Sequence, residues 1–396
     1  MTILNILALL LAAAVLAVLE FMRRRHVLQW LPGYVRSRWH GERAPTGPTH
    51  VMFCFVDHFE PGWKRPGMDV ETARVARWSR EYPALASKFV DADGCHPKHT
   101  FFFPEEEYRA EHMDQLCRLC EAGYGEIEVH LHHDRDTAAG LKEKLLRFVD
   151  VLHVRHGALP VDPATGGVVW GFIHGNWCLD NSRPDGRWCG VNDELQVLKD
   201  CGCYADFTLP SAPSDTQTST VNSIYYATDD PQRPKSHDRG TPVRVGGTPV
   251  GDLMIVQGIL GLDWSSRKFG VLPRIENSDV RAGQPPTRAR VDRWVKLAPA
   301  VAGRPEWKFI KIHTHGAPDN QAEVLLGKPV EQMHAYLEER YNDGKNFVLH
   351  YVSAREMYNI IKAAESGATG NPSAYRDSRL PRPSFRGNGA RDYVKL

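Results

Sequence analysis

The chain has 396 residues, with 49 Lys and Arg against 48 Asp and Glu and a formal net charge of +1. Near-neutrality excludes a nucleic-acid binder that works through bulk charge. The 42% apolar content with ten Trp excludes global disorder. The length suffices for one large domain or two ordinary ones, and no period of about 20–50 residues marks a solenoid or propeller. Eight scattered cysteines are too few for a disulfide scaffold. Cys117-x-x-Cys120 and Cys201-x-Cys203 could form a zinc knuckle. Cys117 and Cys120 fall on the apolar stripe of a helix pattern with Met113 and Leu116, however, so reduced core thiols are expected.

Residues 3–22 form the first predicted element, an apolar run broken only by Asn5 and Glu20. Twenty helical residues span about 30 Å, the thickness of a hydrocarbon core. No basic residue precedes the run and no small-residue cleavage site follows it, which argues against a signal peptide. Arg23, Arg24, Arg25, Arg36, Arg38 and Arg43 come next, against Glu42 alone. The positive-inside rule then places the following domain on the cytoplasmic side of a single-pass membrane protein. Trp30 and Trp39 fit an interfacial anchor. Residues 23–48 are expected to be a basic juxtamembrane linker and 366–396 a flexible basic tail.

Between them, residues 49–365 alternate apolar runs with helical patterns. Strands are predicted at 51–57, 98–103, 125–132, 168–174, 203–208, 253–261, 307–313 and 346–352. Helices are predicted at 70–90, 107–122, 137–155, 192–201, 287–299, 329–343 and 353–364. This alternation indicates an α/β domain with a parallel sheet covered by helices, and the number of units suggests a closed or nearly closed barrel. Residues 211–250, rich in Ser, Thr, Pro and Asp, are expected to be an insertion loop over one rim.

Catalytic groups in such folds sit at the carboxyl ends of strands. Those ends carry His58, His130, His132, His133, His174, His313, His315 and His350, along with Asp57, Glu105 and Asp206. Such a gathering of imidazoles points to metal binding or proton transfer. Strand alternation puts His130 and His132 on one face and His133 on the other. His130 with His132, or His130 with Asp134, makes a ligand pair. Asp57 from the first strand could complete an open three-ligand site for zinc, with cobalt or nickel as other candidates.

These residues carry a family resemblance. HTFFFP (99–104), GYGEIEVHLHHD (123–134) and IKIHTHG (310–316) resemble the motifs of the polysaccharide deacetylases of the NodB-homology superfamily. The resemblance spans roughly residues 49–355. It implies a distorted (β/α)7 barrel and metal-dependent removal of an acyl group from a sugar. That family opens on two adjacent aspartates, a base and a metal ligand, whereas this chain reads FVDHFEP (55–61). Either Asp57 is the ligand and the base is lost, or Asp57 is the base and His58 the ligand; the second preserves both roles. The family's second metal histidine aligns with Asp134, so His132 or His133 is the substitute. His313 aligns with the general acid. GFIHGNWCLDN (171–181) stands where the family has an Arg-Pro motif, which makes His174, Asn176 and Trp177 candidate substrate contacts, with His315 beside the acid. Trp177 and the Tyr225–Tyr226 pair could stack on a sugar ring.

The expected activity is therefore hydrolysis of an N-acyl, less readily an O-acyl, group on a polysaccharide or lipid-linked glycan precursor. One rival is a glycoside hydrolase, with Glu60, Glu105, Glu128, Asp206 and Asp263 as candidate carboxylates. The other is a catalytically inactive glycan-binding partner in envelope polysaccharide assembly, motivated by the missing Asp-Asp pair.

Overall fold

Apolar runs flanked by polar turns become strands, and the periodic stretches between them become helices packed on both faces of one sheet. The computed structural model describes residues 2–39 and 47–386, without the side chains of residues 38 and 39. The rest of the expected linker (40–46), the Trp39 side chain and the last residues of the expected tail (387–396) lie outside the described residues. Helices α1 (Ile3–Arg24) and α2 (Val27–Trp39) lead into a strict alternation. It runs β1 (Thr49–His58), α3 (Met68–Ala86), β2 (His99–Pro104), α4 (Ala110–Glu121), β3 (Gly125–Leu131), α5 (Ala138–Asp150), β4 (Trp170–His174), α6 (Glu194–Asp200) and β5 (Cys203–Asp206). Five strands follow, β6 (Ile224–Ala227), β7 (Thr241–Pro242), β8 (Leu253–Val256), β9 (Gly261–Lys268) and β10 (Leu272–Glu276). The chain ends on α7 (Arg288–Leu297), β11 (Trp307–Thr314), α8 (Asp319–Leu325), α9 (Lys328–Tyr341), β12 (Phe347–Tyr351) and α10 (Ala354–Glu365).

The main sheet has ten strands in the order β11-β1-β2-β3-β4-β5-β8-β6-β7, with β12 beside the first half of β1. Pairing is parallel from β11 to β8 and antiparallel through β6 and β7. Alternation along β1 sends Val51, Phe53 and Phe55 into one core and Met52, Cys54 and Val56 into another, so both faces are buried. The expected barrel closure is not formed by strand pairing among the described residues, where the sheet path ends at β11 and β7. A side chain spans the open side instead. Lys311 of β11 is fully buried and donates to the carbonyls of Phe207 and Leu209, just past β5. The run expected as one strand at 253–261 is divided at Gly258, where a Cβ would meet the Lys311 carbonyl oxygen at 2.6 Å. The residues after it form a separate β9–β10 hairpin.

The N-terminal segment differs from a free linker. Trp30 is fully buried against Ala212, Val221 and Leu260, and Gln29 donates to the Asp215 carbonyl at 3.3 Å. Helix α2 is therefore docked on the 211–222 loop, and Trp30 anchors it to protein rather than to a membrane interface. Helix α1 is long and apolar enough to cross a membrane, and none of its residues is buried. Next to its end the β9–β10 hairpin exposes Trp264, Phe269 and Val271, with Lys268 Nζ 5.6 Å from the Phe21 ring centre.

The expected flexible tail is fixed as far as residue 386. Leu380 and Phe385 are buried. Arg376 pairs with Asp91 at 2.9 Å and Asp93 at 3.1 Å, and Asn359 of α10 donates to the Leu380 carbonyl at 2.8 Å.

Candidate metal centre

The carboxyl ends of β1, β3 and β11 bring a histidine cluster together around one carboxylate. His58 ends β1, and Glu60 follows two residues later, so alternation turns both toward the same side. His130 lies near the end of β3 and His132 just beyond it. His130 Nδ1 donates to the Ile173 carbonyl at 2.7 Å, and His132 Nδ1 meets Glu106 Oε1 at 2.5 Å. Each outward nitrogen is thus engaged, which turns both Nε2 atoms inward. They converge on Glu60 Oε1 at 3.3 Å and 3.5 Å. His58 Nε2 and Glu60 Oε2 are buried without a hydrogen-bond partner.

Glu60 also shares a ligand-sized group with His58 and His315. The His315 ring stacks on His58 with centres 4.5 Å apart and is flanked by Trp177 at 5.6 Å and Trp63 at 6.3 Å. His315 is half-buried and Trp63 exposed, so this side forms the mouth of the site. Burial, with His315 and His130 nearby, holds the His58 imidazole well below its ordinary range. Burial also lowers the basicity of His132, but Glu106, with Glu60 and Glu107 nearby, more than restores it. Unpartnered buried donors of this kind, a carboxylate among imidazoles, suit a borderline divalent cation with one side left open.

Asp57 is placed differently from its expected role. It is fully buried, accepting from His99 Nε2 at 2.7 Å and from the Gly316 amide at 2.6 Å. Trp78 Nε1 donates to the Gly316 carbonyl at 3.0 Å. A Cβ on residue 316 would meet Asp57 Oδ2 at 2.2 Å, so glycine is required for this close approach. Asp57 therefore clamps the turn that carries His315. His313 is buried with an unpartnered Nδ1, its ring centre 6.5 Å from His58. Burial, then the charge of Lys311, holds it well below the usual histidine range.

Several expected contacts are not brought to this centre. Asp134 is exposed and accepts from the Trp188 amide at 2.5 Å, so it lies away from the cluster, whose carboxylate is Glu60. His133 and His174 face a second cluster, with ring centres 4.7 Å apart. Asn176 is half-buried in a left-handed turn at φ 56°. Tyr225 and Tyr226 are buried and bond the His237 carbonyl and Glu365, so neither offers a face to a sugar. Cys117, Cys120, Cys201 and Cys203 belong to the core and to no ligand group among the described residues. The residues missed at the metal centre are Glu60 and Glu106. The signal for Glu60 was its i+2 spacing from His58 on a strand end.

No family model and no curated protein matches the chain. Among solved structures, a crystal structure assigned as a polysaccharide deacetylase from Mycobacterium smegmatis is similar at 14% identity and a TM-score of 0.42, covering 83% of this chain and 96% of that one.

Proposed function

We propose that the chain is a membrane-anchored, metal-dependent hydrolase that removes an N-acyl group from a sugar of a polysaccharide or lipid-linked glycan precursor. The observation that carries this reading is the convergence of His130 and His132 Nε2 on Glu60, beside an unpartnered His58 Nε2. His58, Glu60, His130 and His132 would hold a divalent ion of the zinc class. When bound, such an ion polarises an acyl carbonyl and lowers the pKa of a water. Glu106 orients His132 from outside, as such partners do for ligating imidazoles.

The proton work falls to His315. It stands at the open side of the cluster, with Trp177 and Trp63 beside it as faces for a sugar ring. His315 takes the proton of the attacking water and delivers it to the leaving amine nitrogen, so a single imidazole serves as base and then acid. Asp57, with both oxygens occupied, is a positioning residue for the His315 turn. The acid role expected of His313 passes to His315, since His313 is buried and held neutral. His315→Ala should lower kcat roughly 10²–10⁴-fold with the metal still bound. His313→Ala should cost less than about tenfold. The reverse order in steady-state assays on an N-acetylated oligosaccharide returns the role to His313.

The glycosidase rival lacks a facing pair. Of its five carboxylates only Glu60 meets the cluster. Glu105 pairs with Arg147 at 2.6 Å, Glu128 accepts from Tyr204 at 2.5 Å, Asp206 from Thr208 at 2.6 Å, and Asp263 pairs with Arg293 at 2.6 Å. Turnover of aryl glycosides by metal-free protein would restore that rival.

Helix α1 spans the membrane with the domain on the cytoplasmic side, supported by six arginines against one acid over residues 23–44. A cavity of about 930 Å3 at its end is lined by Phe21, Met22 and Trp264 together with Arg25, Lys268 and Arg274. Apolar walls with cations suit the acyl chains and phosphate of a lipid-linked sugar. Protease added to intact cells should spare the domain. Digestion from outside reverses the topology and moves the substrate to the other face.

A further inference from the structure

A second cluster lies behind the first, on the opposite face of the β3 end. His133, His174, Cys189 and Glu194 are all buried, and one ligand atom from each lies within 4.8 Å of the others. His133 Nε2 is 3.1 Å and His174 Nε2 3.5 Å from Glu194 Oε1, and Cys189 Sγ is 3.4 Å from Glu194 Oε2. Ligand atoms about 2.0–2.3 Å from a tetrahedral zinc ion sit roughly 3.3–3.8 Å apart, close to these separations. We propose that these four side chains bind a second divalent ion of the zinc class, in a closed structural site that pins the 175–193 loop to the ends of β3 and β4.

Three further features point to a ligand. The outward nitrogen of each imidazole faces an acceptor. His174 Nδ1 donates to the Gly175 carbonyl, and Asp136 Oδ2 lies 3.4 Å from His133 Nδ1. The His174 bond fixes that tautomer with its Nε2 lone pair aimed at a carboxylate oxygen, an unfavourable meeting unless a cation sits between them, while His133 Nε2 reaches the same oxygen at 3.1 Å and its Nδ1 has no hydrogen-bond partner. His174 is fully buried, and its Nε2 has no hydrogen-bond partner. Cys189 Sγ accepts from the amides of Asn181 at 3.3 Å and Val191 at 3.4 Å, two donors that a metal-bound sulfur would keep. One thiolate and one carboxylate together cancel the charge of a divalent ion, so the bound site is neutral where it is buried.

The loop gains most from such a site. It has no regular secondary structure beyond short 3-10 turns and places Asn176, Trp177, Asp180, Asn181 and Trp188 at positive φ. Such backbone strain persists only when the surroundings over-determine it. The same loop carries Trp177 to the mouth of the first centre. This inference stands on its own residues and does not need the hydrolase reading.

The test is metal analysis and cobalt spectroscopy on the full chain in detergent. The native protein should hold two equivalents of Zn²⁺. Its Co²⁺ form should show a thiolate-to-cobalt charge-transfer band, which the first centre cannot give because it has no thiol. Cys189→Ala should lose the band and one equivalent, and His130→Ala should lose one equivalent and keep the band. Glu194→Gln, which removes a ligand charge without opening a cavity, should weaken the same equivalent as Cys189→Ala. The band measured on native protein decides the matter even where a variant fails to fold. A native protein with no thiolate band overturns the proposal. One ion lost on His130→Ala but kept on Cys189→Ala overturns it while leaving the first centre intact. The converse pattern supports this site and removes the first.

Discussion

Glu60→Gln should lower hydrolysis of an N-acyl sugar by more than roughly 100-fold and release the ion from the first centre. The magnitude follows from position. Removing an outer-shell partner of a metal ligand costs about 10–100-fold, and Glu106 is such a partner to His132. Glu60 is the carboxylate on which two inward imidazole nitrogens converge and the group shared with His58 and His315. An amide keeps its shape but loses its charge, so three neutral imidazoles would face a dication alone. Glu106→Gln should stay within the outer-shell range and keep most of the metal. Metal content measured beside kcat/KM separates the two. Equal losses from both variants would show that Glu60 is not a ligand.

The sequence made part of this centre legible. Strand ends could be placed from apolar runs, and alternation along 130–133 correctly sent His133 to the face opposite His130 and His132. Glu60 was harder to see because its partners come from β3, some seventy positions later. Asp134, adjacent in sequence to the histidines, was the nearer choice, but the chain turns away there to cap the Trp188 amide. Cys189 and Glu194 lie in or beside a loop with no periodicity, where sequence spacing carries no distance information. Barrel closure is not shown by strand pairing among the described residues, where β6 and β7 enter antiparallel and Lys311, a residue type rarely buried, reaches the carbonyls past β5. The 366–386 segment looked free because few of its residues are apolar; polar bonds, invisible to hydropathy, hold it.

Those bonds give the largest stability prediction. Arg355 is fully buried on α10 and forks onto Glu126 of β3, with Nη2 2.6 Å and Nε 3.0 Å from its oxygens. Its Nη1 donates to the carbonyls of Leu380 at 2.6 Å and Arg376 at 3.2 Å. One guanidinium thus joins the sheet, the last helix and the C-terminal segment. Arg355→Met leaves the buried Glu126 carboxylate without its counter-charge, a loss of about 3–5 kcal/mol. The double variant Arg355→Met with Glu126→Met removes the stranded charge and should recover much of that loss. It should not recover all of it, because two buried carbonyls each lose one of two donors. Asn359 Nδ2 still reaches both carbonyls and keeps the unrecovered part small. The single variant should also free the segment after α10, so trypsin should cut after Arg379, which precedes Leu380, before the rest of the domain is digested. Denaturant midpoints of the three proteins and the order of tryptic cleavage test this together. A single variant within about 1 kcal/mol of native, with the segment still protected, would mean that Arg376 and its pairs with Asp91 and Asp93 hold the C-terminal segment without help from Arg355.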